Sequence, residues 1–200
     1  MAHIPLNKSA LNGERSKLKI YSRFLPALDL KRRQLMAELV KCRRQLNDTR
    51  EEIQALRQTI EQQLPMLADR QMKLDNLLVL EHVIWDEENV VGVRLPRFSE
   101  AQFETTDYSK LMRPHWVDNL VLFLREQVVL ILREKIEIKR VGLLEKALRK
   151  TTQRLNLFEK VLIPRTRSNI CKISIFLSDA ERAGVVRAKI TKRKQEGAGH

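Results

Sequence analysis

From Leu35 onward, apolar or small side chains recur in alternating steps of four and three: Leu35, Leu39, Cys42, Leu46, Thr49, Ile53, Leu56 and Ile60, ending near Leu67. A seam sustained for more than four heptads predicts a long helix that buries one stripe against a partner helix. Leu11, Leu18, Leu25 and Leu28 extend it backward in phase, with Pro26 as a local kink. Mostly Arg, Lys, Gln and Glu separate the seam positions, residues that favour helix and stay solvated. Beyond Pro65 the stripe widens into Leu74, Leu77, Leu78, Val79 and Leu80, as for contact with more than one element. The first helix is thus expected over about residues 11–80.

The pattern then changes. Val83-Ile84-Trp85 is a short β-prone run, Asp86 to Asn89 is turn-like, and Val90 to Pro96 is a second β-prone run. These predict a β-hairpin over about 83–96, followed by loop over 97–113. A second helix is expected from Pro114 to about 192, since proline is tolerated in a first helical turn. Its early part is apolar, with Trp116, Leu120, Phe123, Leu124, Val128, Leu130, Ile131 and Leu132. It settles into a seam of Val141, Leu144, Leu148, Thr151, Leu155, Phe158 and Leu162. Past Pro164 the seam resumes through Thr166, Asn169, Ile173, Phe176, Ala180 and Ala183, slipped by one residue. So small a slip predicts a continuous helix kinked at Pro164, at a cost of about 3 kcal/mol or more. Residues 193–200 are expected to fray.

Two seams joined by a short middle segment favour antiparallel pairing within one chain. The expected fold is all-α: a long antiparallel two-helix coiled-coil hairpin, with a short β-hairpin and loop between the helices, forming a single elongated domain. Helices of that length would make a rod of roughly 90–115 Å, against a radius of gyration of roughly 16 Å for an ordinary globule of this size. Pairing residue 11 with about 192, or 80 with 114, sets Cys42 opposite about 152–161, too far from Cys171 for a disulfide. Both cysteines lie in apolar helical pattern and lack metal-ligand spacing, which points to a reducing compartment.

Composition agrees with long amphipathic helices: 32% of residues are charged, 5% are aromatic, and there are only six Gly and six Pro. No stretch has the length and apolarity of a membrane span, and no continuous apolar run follows the N-terminus as in a secretory signal. The net charge of +13 is uneven: successive quarters of the chain carry +8, −5, +3 and +7. Folding back as a hairpin brings both basic ends to one tip, and so polarised a charge fits a complementary protein socket. Phosphate-binding glycine loops, zinc spacings and nucleophile motifs are absent, and His3, His82, His115 and His200 are scattered singly. Glu51-Glu52 and Glu87-Glu88 are solvated neighbours rather than catalytic pairs. The basic clusters at Lys31-Arg32-Arg33, Lys41 with Arg43-Arg44, and Lys192-Arg193-Lys194 could meet phosphates. Only Tyr21 and Phe24 lie near to stack bases. Trp85 and Trp116 are read as packing anchors.

Asn89-Val90-Val91-Gly92-Val93-Arg94-Leu95-Pro96 resembles a mid-chain run of the D-subunit family of V/A-type ATPases. Residues 154–165, with Arg154, Asn156, Glu159, Ile163 and Pro164, resemble that family's most specific signature. Leu177, Glu181-Arg182 and Arg187-Ala188-Lys189-Ile190 are similar to its closing helix, and Leu18-Lys19 with Leu30 to Leu35 to its basic first helix. The resemblance implies a central rotor shaft without a catalytic site or cofactor of its own. It would transmit torque between a hexamer of A and B subunits and the membrane ring, coupling ATP synthesis or hydrolysis to ion transport. The implied partners are the A and B subunits around the termini, an F subunit, and a funnel-shaped subunit leading to the membrane ring. The implied location is cytoplasmic and peripheral, without direct nucleic acid or membrane insertion. The expected hexamer-contacting tip comprises Lys8, Arg15, Lys17, Lys19 and Arg23 with Arg182, Arg187, Lys189, Lys192 and Arg193. The expected stalk-partner surface comprises Leu74, Leu77, Leu78, Trp85, Val91, Val93 and Trp116. The alternatives are a basic coiled-coil scaffold and a nucleic-acid-binding coiled coil.

Overall fold

The computed structural model of the chain describes residues 5–65, 78–104 and 116–197. Helix α1 spans Lys8–Gln63. Asn7 caps it, its side-chain oxygen accepting the Ala10 amide at 2.7 Å. Seam positions Leu35, Leu39, Cys42, Leu46, Thr49, Ile53 and Leu56 are all buried, as the periodicity predicts. Leu11 is buried, Leu18, Leu25 and Leu28 are half-buried, and α1 runs through Pro26. The helix ends at Gln63 rather than near residue 80. Pro65 cannot donate the amide that would continue it, and it biases Leu64 away from helical geometry.

The β-hairpin is longer than the sequence predicts. Strand β1 spans Val79–Val90 and β2 spans Val93–Glu104, so Leu80 and residues 97–104 are strand rather than helix and loop. The strands pair antiparallel from Val79 with Glu104 to Val90 with Val93, and the register shifts near Glu81 and Ser99. The turn lies at Val91-Gly92, with φ of 53° and 76°, not at Asp86 to Asn89. A two-residue hairpin turn of this kind needs positive φ at both positions. Gly92 supplies one freely; a β-branched Val91 is strained there. With the turn here, Leu95 is fully buried in the core. Pro96 sits in β2, permitted because a two-stranded sheet leaves each strand an open edge.

Helix α2 spans Trp116–Leu157, a π-helical turn occupies Phe158–Leu162, and helix α3 spans Ile163–Gly197. The expected start at Pro114 lies outside the described residues, and the helix continues through residues 193–197, where the sequence predicts fraying.

The chain divides into two compact units, a terminal one of Met1–Arg32 with Lys150–His200 and a central one of Arg33–Arg149. Each contains an antiparallel pair of helical segments. In the central unit, Leu35, Leu39, Cys42 and Leu144 pack with Leu95 of the hairpin. Ile53 and Leu56 meet Leu130, and Leu64 meets Val117, Leu120 and Val121. Arg43 bonds to Glu145 at 2.6 Å and Arg50 to Glu134 at 2.8 Å. Exposed pairs of this kind are worth about 0–1 kcal/mol, so the apolar seam provides the stability and the ion pairs mark its register.

In the terminal unit, Asn169 donates to Glu14 at 3.2 Å, and the Tyr21 and Phe158 rings meet edge-on at 5.4 Å. Residue 11 is therefore not paired with 192, and Cys42 packs with Leu144 instead of facing 152–161. The early end of α1 shifts the register. Both cysteines are free, but Cys171 is exposed rather than part of an apolar stripe. The expected seam positions Phe176, Ala180 and Ala183 are exposed as well. With Glu14 opposite Asn169, α1 runs out before the last turns of α3 and cannot cover them.

Candidate functional site

The terminal unit holds 19 of the chain's 38 basic side chains and only 6 of its 25 acidic ones. The central unit has 19 of each. The whole net charge of +13 therefore belongs to the terminal unit. All ten residues expected at the tip are exposed. Lys8, Arg15, Lys17, Lys19 and Arg23 lie on the paired part of α1. Arg182, Arg187, Lys189, Lys192 and Arg193 lie on the uncovered end of α3, among exposed Val185, Val186 and Ile190.

Arg32 pairs with Asp29 at 2.7 Å in this unit. Lys17 donates to Glu14 at 2.7 Å, and that hydrogen bond is the first cause holding the Glu14 carboxyl below its ordinary value and the Lys17 amine above its own. Arg187 donates to the Ala183 carbonyl at 3.2 Å, a bond that leaves its charge uncompensated.

The signature 154–165 coincides with the π turn. Ile163 donates its amide to the Phe158 carbonyl, five residues back, which inserts one extra residue into the helix. Buried positions accordingly step from Leu155 to Ile163 and Thr166, where an unbroken heptad would bury Leu162. The one-residue slip in the sequence is this turn. Arg154, Asn156, Glu159 and Pro164 are exposed, and only Ile163 of the signature is buried. Thr166 closes the region by donating its hydroxyl to the Leu162 carbonyl at 2.7 Å.

The described residues among those expected to face a stalk partner pack in different places. Leu74 and Leu77 lie outside the described residues, and Leu78 is half-buried just before β1. Val91 and Val93 pack at the hairpin tip against the cluster around Leu35 and Leu144. Trp116 packs instead against the cluster around Leu64 and Leu120. Trp85 is 62% exposed, so it is no packing anchor; Lys139 sits 5.9 Å from its ring centre, a cation–π contact. Exposed Val79 and Leu80, from the stripe that widens beyond Pro65, add apolar surface together with exposed Ile84 and Leu122.

Sequence reasoning also misses Glu137 and Arg140. Glu137 bonds to the buried Thr49 hydroxyl, and burial pushes its carboxyl above the ordinary value. Arg140 bonds to the Pro96 carbonyl at 3.3 Å and to Glu88 at 3.4 Å. No periodic signal distinguishes these from other charged flank positions. Among the described residues, no group of three metal-ligating side chains occurs, and no helix is long and apolar enough to cross a membrane.

The family of ATP synthase D subunits matches residues 10–193. A V-type ATP synthase D subunit of Borreliella burgdorferi is 34% identical over 192 residues, covering 96% of this chain and 95% of that protein. Proteins of the same name from Chlamydia caviae and Chlamydia abortus are 33% and 34% identical, each over 96% of this chain and 94% of the relative.

Proposed function

The chain belongs to the D-subunit family of ATP synthases, and from that premise we propose that it is the central rotor shaft of a V/A-type rotary ATPase. Its terminal unit enters the cavity of a hexamer of A and B subunits, and its central unit meets the F subunit and the funnel-shaped subunit on the membrane side. Catalysis resides in the hexamer; this chain couples it mechanically to ion transport. Nucleotide sites change affinity as the shaft turns because each orientation offers them different contacts. Pro26 within α1 and the π turn before Pro164 break the symmetry of the helix pair.

The observation that carries this reading is the confinement of the entire net charge to the terminal unit. An acidic or polar protein socket accounts for such polarity, because complementary fields steer docking and fix register. Nucleic acid fits less well. Tyr21, one of the two aromatics near the basic clusters, is engaged by Phe158 rather than free to stack on a base.

The test reverses Arg182, Arg187, Lys189, Lys192 and Arg193 to Glu in the complete complex. Expected is loss of co-purification with the two large nucleotide-binding subunits and of coupled ATP turnover, with unchanged nucleotide affinity of those two subunits in isolation. Unaltered assembly and coupling would remove the electrostatic basis of the proposal. Salt-dependent DNA binding by the wild-type complex, abolished by the same reversals, would favour the nucleic-acid reading.

A further inference from the structure

Within the central unit, the hairpin lies against the helix pair along two kinds of contact. Its tip is held by apolar packing of Leu95 with Leu35, Leu39, Cys42 and Leu144, flanked by Val90, Val91 and Val93. Behind the tip, the strands and helices line a cleft of about 900 Å³. Arg140 crosses from α2 to the hairpin at the cleft wall, reaching the Pro96 carbonyl and Glu88.

That polar clamp is imperfect. Both bonds, at 3.3 and 3.4 Å, exceed the usual 2.7–2.9 Å of charge-assisted contacts. Arg140 Nε is buried without a partner, and so is Glu137 Oε2. These two groups are a donor and an acceptor of opposite charge, three positions apart on one helix, the spacing at which side chains meet. Leaving both unpaired is costly in a low-dielectric site. While Arg140 is turned to the hairpin, Glu137 is hydrogen-bonded to Thr49 and feels Arg133 and Arg140 only through space, its Oε2 unbonded; were Arg140 turned along α2, that oxygen would gain a donor and the hairpin would lose its clamp.

We propose that Arg140 is an exchangeable latch, and that the hairpin is a two-position arm docked when Arg140 holds Glu88 and Pro96 and released when Arg140 turns to Glu137. Release uncovers the apolar cluster at Leu35, Leu39, Cys42 and Leu144. Burial is the first cause that raises the Glu137 carboxyl, and Thr49, Arg133 and Arg140 offset it only in part in the docked position. Thr49 bonds to Glu137 in that position and keeps it aimed at the cleft.

The chain carries its own reporter of release, because Cys42 is buried in the cluster that the helix pair shares with Leu95 of the hairpin, while Cys171, the other of its two cysteines, is exposed. In the full-length chain with Cys171→Ser, the rate of Cys42 alkylation by iodoacetamide measures the released fraction, and far-UV circular dichroism checks that the helices stay intact. Arg140→Met should speed alkylation roughly tenfold, the scale of one net hydrogen bond. Glu88→Gln should speed it to a lesser degree. Glu137→Gln keeps a partner for Thr49 but competes weakly for Arg140, so it should slow alkylation. In the Arg140→Met background, Glu137→Gln should have no effect. An Arg140→Met rate equal to that of the parent overturns the latch. So does a faster rate in Glu137→Gln, or the same slowing with and without Arg140.

Discussion

Thr49 occupies a seam position where an apolar side chain would serve packing better, and Glu137 bonds to its hydroxyl across the helix pair. The carboxyl lies where burial disfavours its charge. A group whose folded-state pKa is raised takes up a proton on folding between that value and its ordinary one near 4.5. The folded state then gains stability as pH falls through the raised value, with the gain complete below the ordinary one. Glu137→Gln should therefore unfold at a higher temperature than wild type at pH 7, and the difference should shrink as pH falls toward 4.5. Both tryptophans lie in the central unit, so their fluorescence follows this transition. A difference independent of pH would mean that the carboxylate is not the source. Neither Thr49 nor Glu137 could be identified from residue type: Thr49 reads as a weak seam residue and Glu137 as one of many charged helix positions.

At the scale of elements, the π turn and the hairpin show two ways in which the chain departs from regular pattern. The π turn absorbs an extra residue ahead of Pro164, whose ring and missing amide would disrupt an ordinary turn. Deleting Val161 restores a heptad step from Leu155 to Ile163, but it confronts Pro164 with an α-helical turn. The deletion alone should lower stability by about 3 kcal/mol. Deletion combined with Pro164→Ala should recover most of that loss, measured by urea unfolding followed by far-UV circular dichroism. Failure of the double change to recover stability would show that the wide turn itself, and not the proline, is required. The slip was legible in the sequence because a heptad seam is repeated often enough to expose one dislocation. The hairpin's turn was not. Asp86 to Asn89 has the polar composition of a turn, yet it lies in a strand, and the turn at Val91-Gly92 accompanies the full burial of Leu95.

For the molecule as a whole, charge segregates by unit. Nineteen basic groups against six acidic ones repel one another in the terminal unit, whereas the central unit is balanced. Raising ionic strength from about 0.1 to 1 M shortens the screening length from about 10 to 3 Å. This should strengthen the terminal pairing and leave the central unit nearly unchanged. Hydrogen exchange would show slower exchange for amides in residues 11–28 and 163–173, but not in residues 35–56. Equal responses in both segments would contradict self-repulsion as the cause. In the complex we propose, an oppositely charged socket would relieve the same repulsion.

The amino-acid pattern was sufficient for the phase of the α1 seam, the existence of a second long helix, the dislocation near Pro164 and the uneven charge. Each is a local or summed property that neighbouring residues repeat many times, so no distant contact is needed to define it. The register of pairing, the burial of Cys42 against the exposure of Cys171, and the hairpin's packing on α1 and α2 belong to the tertiary structure. They depend on how many residues the middle segment consumes and on which turn position buries the most apolar surface. The partners of Arg140 are decided by the same long-range placement: Glu88 and Pro96 lie more than forty residues away in sequence, and only the folded hairpin brings them within reach.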